Sequence, residues 1–313
     1  MTKVFEYTLQ FLIFPGFLFS SFIGLMVGWV DRKVTARVQW RVGPPWYQNF
    51  IDVVKLLFYK ETLIPEGVSP ALFLGMPLVA LASATLVSTM ILVVNFSPSQ
   101  GFLGDLLVMV YLLIMPPVAL ILGGFASRNS LASLGASREM KLMLSYELPF
   151  ILALAVPIIK SGYAIKLGDI ILSQGVNGIV IGSVSGFLSF IVMLFCIQAK
   201  LGFVPFDMPE AETEIMAGTY IEYSGKALGI FKLAKHILAF IIPMLMVTLY
   251  FGGIRPGLSG SLKTIGAFLS VLVLMIVIKN TNPRVRIDQA VKFFWGKVTF
   301  VAVLSVVLAY LGF

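Results

Sequence analysis

The sequence predicts an all-α integral membrane protein: a bundle of about eight transmembrane helices plus one amphipathic interfacial helix, with both termini outside. Three observations lead there. Of 313 residues, 58% are hydrophobic and 12% charged, with a mean hydropathy of +0.96, whereas soluble domains carry about 45–50% apolar and about 25% charged residues. The apolar residues fall in continuous runs, without the period-2 alternation of a membrane barrel. Basic residues gather in every second loop.

A helix of about 20 apolar residues crosses the hydrocarbon. Runs of that kind occupy roughly 9–30, 72–94, 102–125, 143–159, 178–197, 227–250, 262–278 and 294–311. No intervening stretch is long enough to fold as a soluble unit, so residues 1–313 form a single polytopic membrane domain. The first run is read as a retained span: the segment before it holds Lys3 and Glu6, and no A-x-A cleavage pattern follows. Loops at approximately 31–70, 126–142, 198–226 and 279–293 hold fifteen Lys and Arg, against five in the termini and other loops. Positive charge marks the cytoplasmic side, so these four loops are expected there. The net charge of +8 is thus a topology signal and requires no nucleic-acid partner.

In the first loop, Gln48, Asp52, Lys55 and Tyr59 recur at i, i+4, i+7 and i+11. They make one polar stripe on an otherwise apolar helix, which suits the membrane interface or the underside of a partner. Asp52 and Lys55 are expected to pair at i, i+3. The loop at 198–226 is the most unusual. Asp207, Glu210, Glu212, Glu214 and Glu222 place five acids within 16 residues, interleaved with Phe203, Phe206, Met208, Ile215 and Ile221. Solvated loops are rarely so apolar, and partly buried acids that repel one another can take and give protons near neutral pH. Asp207 is expected to cap a helix in a capping box with Glu210, and Glu210 and Glu214 to share its face.

Ionisable groups inside spans are functional candidates by default. Glu147 lies near the cytoplasmic end of the fourth span, two residues before Pro149, which frees a backbone acceptor beside it. Lys232 is explained by snorkelling. Lys235 and His236 lie deeper and are read as members of a proton path or an ion pair; Glu139, just before the fourth span, is read first as an interface charge and otherwise as a member of the same set. One cysteine, Cys196, and one histidine, His236, exclude a four-cysteine cluster, a CxxC zinc site and a multi-histidine metal site in this chain. No G-x-S-x-G, Walker or GxGxxG motif occurs. The chain reads as a conduit, not a catalyst.

The segments RVGPP (41–45), DVVKLLFYKE (52–61), SLGASRE (133–139), SYE (145–147), PFDMPEAETE (205–214) and EYSG (222–225) together resemble the NuoH-type (subunit 1-like) membrane subunit of respiratory complex I. The likeness spans nearly the whole chain and is strongest to the branch of membrane-bound [NiFe]-hydrogenases and sulfane reductases. It implies a platform where a peripheral redox arm meets the membrane arm, in the plasma membrane of a prokaryote. It also implies an acidic relay linking electron transfer to ion movement. Carried over by motif, Glu147 matches the span glutamate, and Asp207, Glu210, Glu212, Glu214 and Glu222 match the channel-loop acids. Arg41 and Asp52 match the first-loop motif, which with Arg37 and Lys55 is assigned to redox-arm docking. The implied partners are peripheral iron–sulfur and hydrogenase-large-like subunits, antiporter-like membrane subunits and the lipid bilayer. Iron–sulfur clusters and a nickel–iron centre would belong to those partners, with no cofactor in this chain. The first-loop motif departs from complex I after Pro45, where Trp46-Tyr47-Gln48-Asn49 stands, and Lys235 occupies a position where many relatives carry Glu. Three other readings stand beside this one: the quinone-chamber subunit of an NADH:quinone complex, a free-standing ion-coupled secondary transporter, and a plain membrane anchor.

Overall fold

The computed structural model describes residues 2–255 and 257–313; the side chains of residues 2–4 and of Glu212 lie outside the described residues. In chain order the helices are α1 (Thr2–Leu12), α2 (Phe17–Val38), α3 (Gln48–Val54), α4 (Pro70–Phe96), α5 (Asp105–Ala126), α6 (Ser130–Lys160), α7 (Leu167–Asn177), α8 (Val184–Lys200), the single turn α9 (Glu212–Ile215), α10 (Gly225–Phe251), α11 (Leu258–Thr281), α12 (Ile287–Lys292) and α13 (Thr299–Tyr310). A π-helical turn, Lys55–Tyr59, extends α3, and another, Phe293–Val298, joins α12 to α13. No strand occurs among the described residues.

Seven helices are long and apolar enough to span a membrane, counting Phe5–Val38 and Ile287–Tyr310 as one each, and Val184–Lys200 is a shorter apolar helix. The bundle therefore reproduces the eight apolar runs. α10 is its axis. Every residue from 237 to 250 is buried, as expected of a helix that is apolar on all sides. It packs on α2, α4 and α11, while α6 packs on α5, α8 and α13. Gly24 and Gly28, four apart on α2, allow the closest approach to α10: a Cβ at Gly24 would strike the backbone of His236, its carbonyl carbon at 2.7 Å. Small residues at this spacing let membrane helices meet backbone to backbone.

Polar ties fix the end opposite the basic loops. Asn95 Nδ2 donates to Thr248 Oγ1 (2.9 Å), and Asn95 Oδ1 accepts from the Ile254 amide (3.0 Å). Gln174 of α7 donates to the carbonyls of Thr248 and Leu249 at 3.1 Å each. Hydropathy alone predicts no helix in place of α7, which is short and mixed in character.

Two helices outrun their apolar runs, both toward the basic loops. α2 continues through Asp31, Arg32 and Lys33 to Val38, because charge ends hydrocarbon burial without ending a helix. α6 begins at Ser130, capped by Asn129, whose Oδ1 accepts from the Leu131 amide at 2.8 Å. Glu139 is thereby the tenth residue of a 31-residue helix, not an interfacial charge ahead of it.

Candidate functional site

A cavity of about 500 Å³ opens between α2, α3, α10, α11 and the 201–224 segment, with Asp31, Arg32, Asp52, Glu210, Lys235 and His236 among its walls. Its α2–α3 wall is tied by polar contacts. Arg32 Nη1 donates to Asn49 Oδ1 (2.8 Å) and Asp52 Oδ2 (3.2 Å), Gln48 donates to Asp52 Oδ1 (2.9 Å), and buried Asn49 donates to the Leu25 carbonyl (3.0 Å). On the α11 side, Lys279 pairs with Asp31 at 2.7 Å while lying 5.0 Å from the Phe203 ring centroid. The His236 ring fits because Gly28 has no side chain: a Cβ there would sit 2.5 Å from His236 Nδ1.

At the inner end of this cavity, Lys235 Nζ donates to both carboxylate oxygens of Glu210, at 2.7 and 2.6 Å. Glu210, Lys235 and Tyr220 line the large cavity and also a second, small one of about 50 Å³. The far wall of the small cavity holds Glu139 and Lys200. Glu139 is 6% exposed. Lys200, with a side chain 1% exposed, donates to Glu147 Oε1 at 2.8 Å. Glu147 Oε2 is buried and has no hydrogen-bond partner. Ionisable groups thus run from the large cavity through Glu210–Lys235 and Glu139 to Lys200–Glu147 on the face that α6 turns to α8. Among the described residues, no three His, Cys, Asp or Glu side chains converge as a metal site.

Asp207, Glu214 and Glu222 of the 201–224 segment lie off this line. Asp207 pairs with Arg284 at 2.9 Å, and Arg284 also donates to Thr213 Oγ1 (3.0 Å). The Val285 amide donates to the Pro205 carbonyl (3.2 Å), so the 282–286 turn clamps the segment. Glu214, 55% exposed at its side chain, pairs with Arg138 at 2.5 Å. Glu222 accepts from Asn129 Nδ2 at 2.5 Å, beside the α6 cap. The Glu212 side chain lies outside the described residues.

Three local expectations are corrected. Asp52 pairs with Arg32 and Gln48, while Lys55 is exposed and makes no ion pair with it, because a tertiary partner on α2 outcompetes the i, i+3 neighbour. Asp207 makes no side-chain cap to the short 3₁₀ turn that follows it; Arg284 takes its carboxylate instead. Glu210 and Glu214 do not share a helical face, since the 3₁₀ turn Met208–Glu210 and the single turn Glu212–Ile215 are separate elements. Arg37, in the last turn of α2, and Arg41, just after it, are exposed and do not line the cavity. Lys200, Tyr220 and Arg284 join the site without any signal in their local sequence. Each is an ordinary residue there and gains its setting only from a distant segment.

Electrostatics follow burial in the loop segment. Burial lifts the Asp207 carboxyl above its ordinary value, with the Arg284 guanidinium opposing the shift. The Tyr220 phenol is pushed well above the ordinary tyrosine range by burial, then by the Glu210 and Glu139 carboxylates. Burial does the same to Tyr223. Both phenols therefore stay neutral and can act only as hydrogen-bonding groups at physiological pH.

Comparison with known proteins gives a consistent picture. Residues 10–310 match the family model described as NADH dehydrogenase. The chain is 33% identical over 318 residues to the H subunit of NADH-quinone oxidoreductase from Brevibacillus brevis, covering 96% of this chain and 92% of that one. It is 32% identical over 291 residues to the same subunit from Anoxybacillus flavithermus, covering 88% and 85%. Its fold is similar to a chain in the structure of the membrane-bound sulfane sulfur reductase, an archaeal respiratory membrane complex. That likeness has a TM-score of 0.83 and 26% identity over 93% of this chain and 96% of that one.

Proposed function

The chain belongs to the NADH dehydrogenase family, and from that premise we propose that it is the membrane-arm coupling subunit of a complex I-like redox complex in a prokaryotic plasma membrane. A peripheral redox module docks on the end that carries the first loop and the 201–224 segment, which faces the cytoplasm. Arg37, Arg41, Asp52 and Lys55 belong to that face. Iron–sulfur and hydrogenase-large-like subunits make up the module, and antiporter-like subunits lie beside the chain in the membrane.

The single observation that carries this reading is the run of ionisable side chains from the 500 Å³ cavity to Glu147. A charge change at one end of this buried line acts on the carboxyls further along it through a poorly screening interior. A redox event in the docked module perturbs Glu210–Lys235 at the cavity end. Glu139 and Glu147 answer by exchanging protons, and the displaced charge acts on ion-translocating neighbours. Asp207, Glu214 and Glu222 shape the entrance, the first through its clamp to Arg284.

The test uses the whole complex in sealed vesicles, with ion translocation and redox turnover measured together. Glu139→Gln and Glu147→Gln are each expected to assemble, keep redox turnover and lose at least about tenfold in ions moved per electron, in line with removal of a proton-transfer group. Wild-type coupling in both variants would refute the relay.

A quinone chamber is the second reading, favoured by the size of the large cavity, which falls within the range of about 300–1,000 Å³ for small-molecule sites. Competition of quinone-site inhibitors with redox turnover would support it; indifference to them favours the hydrogenase-like and sulfane-reductase-like branch.

A further inference from the structure

Lys200 is a buried cation on this line to which the relay steps above assign no role. Its ammonium touches Glu147 at 2.8 Å and lies 4.6 Å from the Phe150 ring centroid and 5.2 Å from that of Tyr146. All three groups come from one face of α6. Glu139 is at i−8 from Glu147, about 12 Å along the axis and about 80° round from it, on the side of Tyr146 and Phe150. Between them the small cavity is lined by both Glu139 and Lys200. Among the described residues Glu139 has no ion-pair partner, whereas Glu147 and Glu210 each hold a lysine. Glu147 itself is held by one oxygen only, its Oε2 being buried without a partner. The geometry is that of one cation between two carboxyls, engaged with one and facing a cavity shared with the other.

We propose that Lys200 is a movable counter-ion shared by Glu147 and Glu139, a positioning residue that makes the two carboxyls hold a proton alternately. The proposal rests on the relay reading. In one state Lys200 pairs with an ionised Glu147 and Glu139 carries a proton. In the other, Glu139 has released that proton toward Glu210, the four-carbon lysine stem has swung into the small cavity to meet the new carboxylate, and Glu147 has taken a proton from the opposite side. Lys200 keeps its own protons throughout. One proton leaves and one enters, so the net charge of the trio is the same in both states. An isolated charge therefore never has to be held in the membrane interior, where charges are rare because they are costly unless paired. The aromatic faces of Tyr146 and Phe150 supply a low-friction track, since each attracts a cation without fixing it.

The test is redox-triggered infrared difference spectroscopy of the carboxyl C=O stretch on the intact complex in membranes, with ion translocation measured in parallel. Bands are assigned with Glu139→Gln and Glu147→Gln. In the wild type the Glu139 band is expected to fall as the Glu147 band rises; bands moving in the same direction would overturn the proposal. In Lys200→Met the Glu147 band is expected to become static and ions moved per electron to fall at least about tenfold while redox turnover persists. The double variant Lys200→Met with Glu147→Gln leaves neither member of the pair as an unpaired buried charge, so it keeps the test open if the single variant does not assemble. Its Glu139 band is expected to lose the redox-linked change still present in Glu147→Gln alone, and a Glu139 band identical in the two variants would overturn the counter-ion role. Wild-type coupling in either Lys200 variant would overturn the counter-ion role. If Glu139→Gln is uncoupled and Lys200→Met is not, the relay stands and only the counter-ion falls; if neither is uncoupled, the relay falls with it.

Discussion

Gly24 and Gly28 occupy the same face of α2, yet alanine at the two positions is expected to have opposite consequences. At Gly24 a Cβ would collide with the His236 carbonyl oxygen and lie 2.7 Å from its carbon and 3.0 Å from the Ile237 amide nitrogen. These are backbone atoms in the middle of α10 and cannot rotate aside. Restoring an ordinary carbon–carbon separation of about 3.5 Å requires the helices to part by about 0.8 Å, which opens the packed seam along Leu25 and Ile237. Overpacking of this kind costs about 1–3 kcal/mol, and the better helix propensity of alanine offsets about 1 kcal/mol of it at most. At Gly28 the nearest atoms, besides Asn49 Nδ2 at 3.1 Å, are His236 Nδ1 and Cε1, at 2.5 and 2.6 Å. They are the end of a side chain that borders the 500 Å³ cavity and can turn into it. Gly28→Ala is therefore expected to leave stability within about 0.5 kcal/mol while shrinking the cavity and reorienting His236. The assay is the midpoint temperature for loss of the detergent-solubilised complex on size exclusion, read beside coupled turnover. Gly24→Ala should lower the midpoint; Gly28→Ala should leave it in place and alter turnover. Equal destabilisation by the two variants would refute the reasoning, because it would mean that His236 is as immovable as backbone.

Three further outcomes follow from particular contacts. A Cβ at Gly123 would collide with Tyr223 Oη, and the ring is pinned by stacking on Phe73 (4.2 Å, 1°) and an edge contact with Phe231 (5.0 Å). Gly123→Ala is thus expected to destabilise by about 1–3 kcal/mol. Tyr223→Phe, which removes a buried hydroxyl without a partner, should be nearly neutral alone and rescue much of that loss, whereas additive midpoint shifts would show that the hydroxyl is not the obstacle. Asn95→Leu leaves the Ile254 amide without its acceptor and Thr248 Oγ1 without its donor and should cost about 1–3 kcal/mol, with the amides of 252–255 gaining exchange; unchanged exchange there would contradict the role of this tie. Asp207 is an acid whose folded value is raised above the ordinary 3.8 by burial, so the folded segment binds its proton more tightly than the unfolded one. Docking of the segment should be tightest below 3.8 and weaken as pH rises from there through the raised value. Arg284→Gln removes the opposing guanidinium and should extend that loss to higher pH, and Asp207→Asn should flatten it, both read as amide exchange over 203–215 against pH; a flat wild-type profile would refute the assignment.

The amino-acid order by itself determined the class and span count of this protein, because transfer of an apolar run into hydrocarbon is a sum over neighbouring residues. The eight runs, the amphipathic 47–60 stretch and the acidic 198–226 segment were all legible on that ground, and the motifs around Glu147 and Asp207–Glu214 were specific enough to point to the family. Helix ends were less legible: α2 and α6 run on through charged residues that hydropathy counts as loop. What only the tertiary structure decided was which charge answers which. Lys200 meets Glu147 across 53 residues, Lys235 meets Glu210 across 25, and Lys279 meets Asp31 across 248. Electrostatic pairing depends on distance in space, and the packing of α6 on α8 and of α10 beneath the acidic segment sets those distances. The same rule explains why the local pairings expected of Asp52 with Lys55 and of Asp207 with its own turn gave way: Arg32 and Arg284 arrive from other elements with charge-assisted hydrogen bonds that a neighbour in sequence or a backbone amide does not match.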